Sequence, residues 1–313
     1  MINKCKTILL TASLLFSSTL FAVTIDITKR GAKGDGVTDN TVVIQKAVDE
    51  CSAKGGGTVL IPSGTYLIRP IELNVNLHLD FGALVLGSTR LADYDHAFPY
   101  KEGSMNQSSG LLFARGQKNI SLTGFGTIDG QGGNESFQFG NDADGGPKRP
   151  KIIYLVECQG IVVTDLTLRN SAYWVQHYER CEDVTIRGLK VFSHCNYNND
   201  GLDIDAKNAT ISDCYIDVED DAICFKSDHP EFCENITVTN CVTASNCNAI
   251  KFGTASHGGY RNIAVSNCVV RQAAEDNIRH WSKQLEHISA EVTVISGVAI
   301  EMVDGGIIDG ITV

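Results

Sequence analysis

A pattern that returns about every two dozen residues constrains this chain more than any other feature. From residue 116 onward, a polar or Gly/Asn corner is followed by two short β-branched strands separated by a polar pair. Two copies read Ile161-Val-Val163-Thr-Asp-Leu166-Thr-Leu168 and Val184-Thr-Ile186-Arg-Gly-Leu189-Lys-Val191. Three more begin at Ala209, Ile236 and Ile263, and further starts fall at Ile288 and Ile311, so the steps are 23, 25, 27, 27, 25 and 23 residues. A period of this length, filled with strands of period two and no helix, belongs to a solenoid. The Leu/Asn consensus of leucine-rich repeats is missing. The pattern therefore predicts an all-β, right-handed parallel β-helix, each copy a coil stacked about 4.8 Å on the last. Inward Ile, Val, Leu, Phe and Cys would form ladders, and Asn suits the corners because it tolerates left-handed backbone.

The ends read differently. Residues 116–128 are an earlier coil, and Gly130–Pro150 a Gly/Asp-rich excursion. Thr38 to Ala53 carries a helical pattern with Ile44, Ala47, Val48 and Cys51 on one face, Thr38 or Asp39 as cap and Gly55-Gly-Gly57 as stop. Such a helix would cover the open N-terminal edge of the solenoid. The chain stops at Val313 in the middle of a predicted strand, and the expectation is a chain shortened at that end. Lys4 and Lys6 precede an apolar run from Ile8 to Leu20, which predicts a signal peptide over residues 1–22, cleaved after Ala22. Residues 23–313 are then one β-helix domain, secreted or periplasmic, with no membrane span after cleavage, and it is read as a monomer. Export allows one or two disulfides, which sequence does not assign, but most of the ten remaining cysteines read as small buried residues that recur at equivalent places in the repeat. No Cys-x-x-Cys pair occurs, no zinc spacing or phosphate loop appears, and neither a metal nor another cofactor is implied. With 26 Lys+Arg against 37 Asp+Glu, the formal net charge is −11, and no basic cluster invites nucleic acid.

Each coil has a further strand, and these align as Asp200-Gly-Leu-Asp203-Ile-Asp205, Asp221-Ala-Ile-Cys224-Phe-Lys226 and Asn248-Ala-Ile-Lys251-Phe-Gly253. Asp276-Asn-Ile-Arg279-His-Trp281 and Val298-Ala-Ile-Glu301-Met-Val303 are expected below them. The Ile/Leu position points inward, so its successor points out. Asp203, Cys224, Lys251, Arg279 and Glu301 should then form one solvent-facing column, while Asp200, Asp221, Asn248 and Asp276 form another near the corner where the strand begins. Asp220 and Lys226 also face outward by parity. Asp200, Asp220 and Asp221 therefore converge from two adjacent coils, and carboxylates this close should retain at least one proton. An acid and a base beside an open groove are what glycosidic hydrolysis needs.

The sequence also resembles a family, the family 28 glycoside hydrolases of the polygalacturonase group. The resemblance runs from about Asp26 to the end and includes Gly31-Ala-Lys-Gly-Asp-Gly36, Gly124-Phe-Gly-Thr-Ile-Asp-Gly-Gln-Gly132 and Asn170-Ser-Ala-Tyr-Trp-Val-Gln-His177. Its most specific parts are Asn198-Asn-Asp-Gly-Leu-Asp203, similar to the family's Asn-Thr-Asp motif, and Glu219-Asp-Asp-Ala-Ile-Cys-Phe-Lys-Ser227, similar to its Gly-Asp-Asp motif. The resemblance implies a pectin-like polysaccharide as partner and inversion at the anomeric carbon. It implies Asp220 as general acid, with Asp200 and Asp221 holding and deprotonating the water. Where the family has Gly-His-Gly this chain has Cys247-Asn-Ala249, and where it has Arg-Ile-Lys this chain has Arg279-His-Trp281. Both changes bear on which sugar is held. Asn198, Lys226, Asn248, Lys251, His257, Arg279 and Trp281 are the expected substrate-binding residues, with Lys226 and Lys251 as substitute charge and Trp281 as a stacking face.

Two other readings share the architecture. A polysaccharide lyase could use Asp203 and Asp221 for Ca²⁺ and Lys251 or Arg279 as base. A degenerate member would bind carbohydrate without cleaving it. Inverting glycosidases generally part their carboxyls by roughly 6.5–9.5 Å, wider than one coil step of about 4.8 Å.

Overall fold

The computed structural model describes residues 23–95, 109–137, 149–274 and 294–313. Within them the strands pair in parallel and stack into one sheet of sixteen strands and another of nine. The inward column anticipated from the repeat is present in register: Ile120, Ile161, Val184, Ala209, Ile236 and Ile263 pair in succession. All six are buried in one continuous core, and full burial of each Ile or Val is worth about 1.5–3 kcal/mol.

The copy at Ile288 is the exception. Ile263 pairs directly with Ile311, and Ile250 directly with Val298, so no coil lies between them. Residues 275–293, which hold that copy and the strand expected from Asp276 to Trp281, lie outside the described residues. One long step thus replaces two short ones. At the other end the solenoid begins before the recognisable repeat. Strands Val23–Asp26, Gly57–Ile61, Asn76–Leu79 and Lys118–Gly124 are successive neighbours in the larger sheet.

The single α-helix among the described residues covers Thr41–Ala53 and buries the expected face of Ile44, Ala47, Val48 and Cys51. It starts three residues later than anticipated because Asp35–Asp39 is a strand paired with Gly64–Ile68. Asn40 then turns the chain, its amide donating to Lys33 O and Thr38 O. Asp39 serves the helix start by accepting the Thr41 N–H at 2.9 Å. The aliphatic face lies against Ile25 and Ile27 in the same core, closing the first coil.

Asparagines hold the corners. Asn208, Asn235 and Asn262 sit at φ of 58°, 59° and 52°, and each amide donates to the side chain one coil earlier, Asn235 to Asn208 and Asn262 to Asn235 at 3.1 Å. Asn235→Ala removes both ladder bonds and puts a residue less tolerant of left-handed backbone at the corner. The expected loss is about 1–2 kcal/mol, read as a lowered denaturation midpoint, with Asn235→Gly less affected. Cysteines also recur coil by coil, Cys214, Cys241 and Cys268 among them, but the ten described cysteines are free. Most are buried, as the repeat anticipated, and each of these three thiols turns back onto the carbonyl two residues earlier, at 3.2–3.3 Å.

Candidate active site

One face of the larger sheet carries the polar residues. Strands Gln176–Arg187, Leu202–Ser212, Ile223–Ser227, Asn248–Ser256 and Ser296–Met302 stack in that order. Leu202 opposes Ile223, and Ile223 opposes Ile250, so their outward neighbours fall in register. Just before these strands, Val175 N–H donates to Asp200 O, Gly201 N–H to Asp221 O, and Ala222 N–H to Asn248 O. Main-chain bonds thus place Asp200, Asp221 and Asn248 one above another at the corner where the strands begin, as the alignment of the coils anticipated.

A buried amide and a buried guanidinium fix the loop before Asp200. Asn199 accepts from the Ser193 hydroxyl and donates to Ser171 O and Tyr173 O. Arg149, 2% exposed, donates to Tyr197 O and to Asn198 Oδ1, with its guanidinium over the rings of Tyr197 and Tyr173. Asn198 in turn donates to Asp220 Oδ2 at 3.4 Å. Asp220 also accepts the Asp221 N–H on Oδ1, and its own carbonyl takes the Ser245 hydroxyl.

A cleft of about 480 Å³ opens over this face, lined by Trp174, Asp200, Asp220, Asp221, Asn248 and Glu301, with Asn198, Lys226 and Lys251 at its sides. Seven of the ten residues named from the sequence therefore meet there. His257 does not. It is exposed, in the turn after strand Asn248–Ser256, where its N–H donates to Ser227 O and its ring faces Asp304 at 3.7 Å. Arg279 and Trp281 lie outside the described residues.

Two further expectations are corrected. Glu301 does not oppose Lys251; the pairing of Ile250 with Val298 sets Ala299 there and Glu301 beside Gly253, two residues along. Asp203 and Cys224 point out of the coil as parity demands, yet both are fully buried. Lys226 lies over Asp203 with its Nζ 3.3 Å from Oδ1, and Trp174 lies over Lys226 with its ring 4.5 Å from Nζ.

Both cleft lysines are engaged with the protein's own acids. Lys226 lies 4.0 Å from Asp200 Oδ2 besides its contact with Asp203. Lys251 stands 3.1 Å from Asp221 Oδ2 and 3.3 Å from Glu301 Oε2. The other oxygen of Asp221 accepts the Asn248 side-chain amide at 2.7 Å and its N–H at 3.2 Å. Burial, then the charges of Asp203 and Asp220, hold Asp200 well above the ordinary carboxyl range against the pull of Lys226. Burial likewise pushes Asp203 up to about 7, with Lys226 and Lys151 opposing it. Burial works against the charge on Lys226, but Cys224, Asp203 and Asp200 outweigh it and keep its pKa raised.

Asp200, Asp203 and Cys224, and likewise Asp220, Asp221 and Cys247, bring potential metal-ligand atoms within 4.8 Å of one another. A lysine ammonium already lies against the carboxylates of each group, where a cation would gain most, so the donor sets read as ion-paired clusters.

The sequence reading did not single out Trp174, Arg149 or Lys151. Trp174 stands one coil before Asp200, a position that follows from the pairing of His177 with Asp203. Lys151 is buried beneath it, 3.0 Å from His177 Nδ1 and 4.5 Å from the Trp174 ring, and burial lowers its pKa to about 8.

The sequence profile of glycosyl hydrolases family 28 matches residues 51–310, most of the chain. The chain belongs to this family. A probable polygalacturonase of Vitis vinifera is 31% identical over 219 residues, covering 64% of this chain and 44% of that protein. An exo-poly-alpha-D-galacturonosidase of Dickeya chrysanthemi is 29% identical, over 64% of this chain and 41% of the relative. The chain thus spans less than half the length of these curated relatives. Among solved structures, the exopolygalacturonase of Thermotoga maritima superposes with a TM-score of 0.70 at 24% identity, over 80% of this chain and 68% of that one, a likeness of fold. Residues of the Asn198-Asn-Asp200 and Glu219-Asp-Asp221 segments are gathered at the cleft, with Asn248 beside them.

Proposed function

We propose that the protein hydrolyses the glycosidic bonds of a pectin-like, polygalacturonase-type polysaccharide by inverting general acid/base catalysis. The observation that carries the proposal is the convergence of Asp200, Asp220 and Asp221 from two adjacent coils in one cleft. Asp220 is the proton donor to the leaving oxygen. Asp200 and Asp221 hold the water, and Asp221, paired with the Lys251 ammonium, takes its proton, because Asp200 is held above the ordinary carboxyl range. Family membership supports a water held by these two acids. The apolar run after Lys4 and Lys6 supports export, which would bring the enzyme to a polymer too large to enter a cell.

The test follows reducing-end release from polygalacturonate, rhamnogalacturonan and neutral galactan, with ultraviolet absorbance in parallel. New reducing ends without absorbance are expected. Absorbance rising with cleavage would mean an unsaturated product and a lyase, and binding without cleavage would mean a carbohydrate-binding member.

Stereochemistry gives a second expected result. Asp220 and Asp221 oxygens lie within 4.8 Å, closer than the roughly 6.5–9.5 Å usual between inverting carboxyls. The reading requires inversion nonetheless, because a water shared by Asp200 and Asp221 attacks directly. Proton NMR in the first minutes of reaction should show the anomer opposite to the linkage cleaved; the same anomer would point to a covalent intermediate.

A further inference from the structure

Lys251 is the kind of residue that sequence assigns to the substrate: a cation in a cleft that would receive an acidic sugar. Its surroundings say otherwise. The ammonium lies between two carboxylates of the protein, 3.1 Å from Asp221 Oδ2 and 3.3 Å from Glu301 Oε2. Only 13% of its side chain is exposed, against 40% for Glu301, so Glu301 covers it from the solvent side. Asn248, three residues earlier on the same strand, takes the other Asp221 oxygen with both its side-chain amide and its N–H. Asp221 is thereby gripped at both oxygens by one strand, and that strand is tied to the next through Glu301. Burial opposes the charge on Lys251, but Asp221 holds its pKa above the ordinary range, so it stays cationic.

We infer that Lys251 is a positioning residue for Asp221 rather than a ligand for the substrate's carboxylate, and that Glu301 on strand Ser296–Met302 is its counter-anchor. Three acids, Asp200, Asp220 and Asp221, crowd the cleft, and without the Lys251 ammonium the Asp221 side chain would be repelled from its place beside the reacting water. A carboxylate misplaced by a fraction of an ångström loses rate, not affinity. A lysine bound to substrate would do the reverse, because uniform binding appears in KM.

The inference rests on the proposed hydrolysis, and its tests separate the two. For Lys251→Met we expect kcat to fall by about 10²-fold with KM within about twofold of wild type, and Lys251→Arg to recover most of the rate. A raised KM with kcat retained would overturn the assignment. A second measurement needs neither turnover nor a folded Lys251→Met variant. In protein labelled with ¹⁵N at lysine Nζ, an ammonium protected in an ion pair gives a visible signal, assigned to Lys251 by its loss in Lys251→Arg. That signal should move in both Asp221→Asn and Glu301→Gln. An unmoved signal in either variant would overturn the clamp even if no substrate is ever cleaved, whereas a moved signal in an enzyme silent on every polysaccharide would fault the hydrolase reading alone.

Discussion

Asp220→Asn should reduce kcat by about 10²–10⁴-fold, the usual contribution of a general acid, while leaving polysaccharide binding in place. The substitution is close to isosteric, and its amide oxygen can still accept the Asp221 N–H that Asp220 Oδ1 now takes. The amide nitrogen gives up only the long contact from Asn198 at 3.4 Å, and the remaining bonds of the loop hold it in place. What disappears is the proton for the leaving oxygen, a demand that arises only in the transition state, so the loss should fall on kcat rather than KM. Reducing-end assays give the rate, and calorimetric titration with an oligosaccharide gives the binding. Unchanged turnover would remove Asp220 from the role of acid and leave Asp200, already held above the ordinary carboxyl range, as the next candidate.

Lys226→Met should destabilise the protein by about 3–5 kcal/mol, the typical cost of removing one partner from a buried ion pair. Lys226 is the cation lying over Asp203, whose carboxyl oxygens receive no hydrogen bond and are fully buried. Removing it leaves the negative charge held on the Asp203–Asp200 pair without its counter-ion in a desolvated site. Adding Asp203→Asn to Lys226→Met removes the stranded charge and should recover much of the loss, a coupling that a double-mutant cycle in denaturant reads directly. Losses that simply add would mean the pair does not act as a unit. Asp203 also gives a pH signature. Its folded pKa of about 7 lies above the unfolded value of about 4. The acid form is therefore favoured by folding, and that contribution is complete below about pH 4 and lost as pH rises through about 7. Thermal midpoints of wild type should fall between pH 5 and 8 more steeply than those of Asp203→Asn. Equal slopes would mean that Asp203 does not titrate in that range.

Much of the site was legible because a strand alternates its faces. Once Leu202, Ile223 and Ile250 were read as inward, the outward placement of Asp220, Lys226 and Lys251 followed from period two, and the alignment of the coils put Asp200, Asp221 and Asn248 in a column at the corner where each strand begins. The same reasoning could not say what lies over an outward residue. Asp203 has the parity of a surface group and is fully buried, because Lys226 and Trp174 from neighbouring coils close over it. His257 has the composition of a groove residue but belongs to a turn at the far end of its strand. Arg149 reaches Asn198 from a segment 49 positions away, a separation that no local pattern encodes.

The sequence by itself determined the period, the inward ladder from Ile161 to Ile263, the asparagine corners and the helix over the first coil. These are local matters of side-chain alternation, left-handed tolerance and amphipathic spacing. Only the tertiary structure decided which copies stack. Ile263 pairs with Ile311 and passes over the copy at Ile288, and Glu301 lands beside Gly253 rather than Lys251. In a parallel solenoid, successive strands are joined by connections of variable length, so spacing along the chain does not dictate the neighbour in space. Hydrogen bonding between whole strands makes that choice. From that register the Glu301 side chain still reaches back to Lys251, whose ammonium also pairs with Asp221.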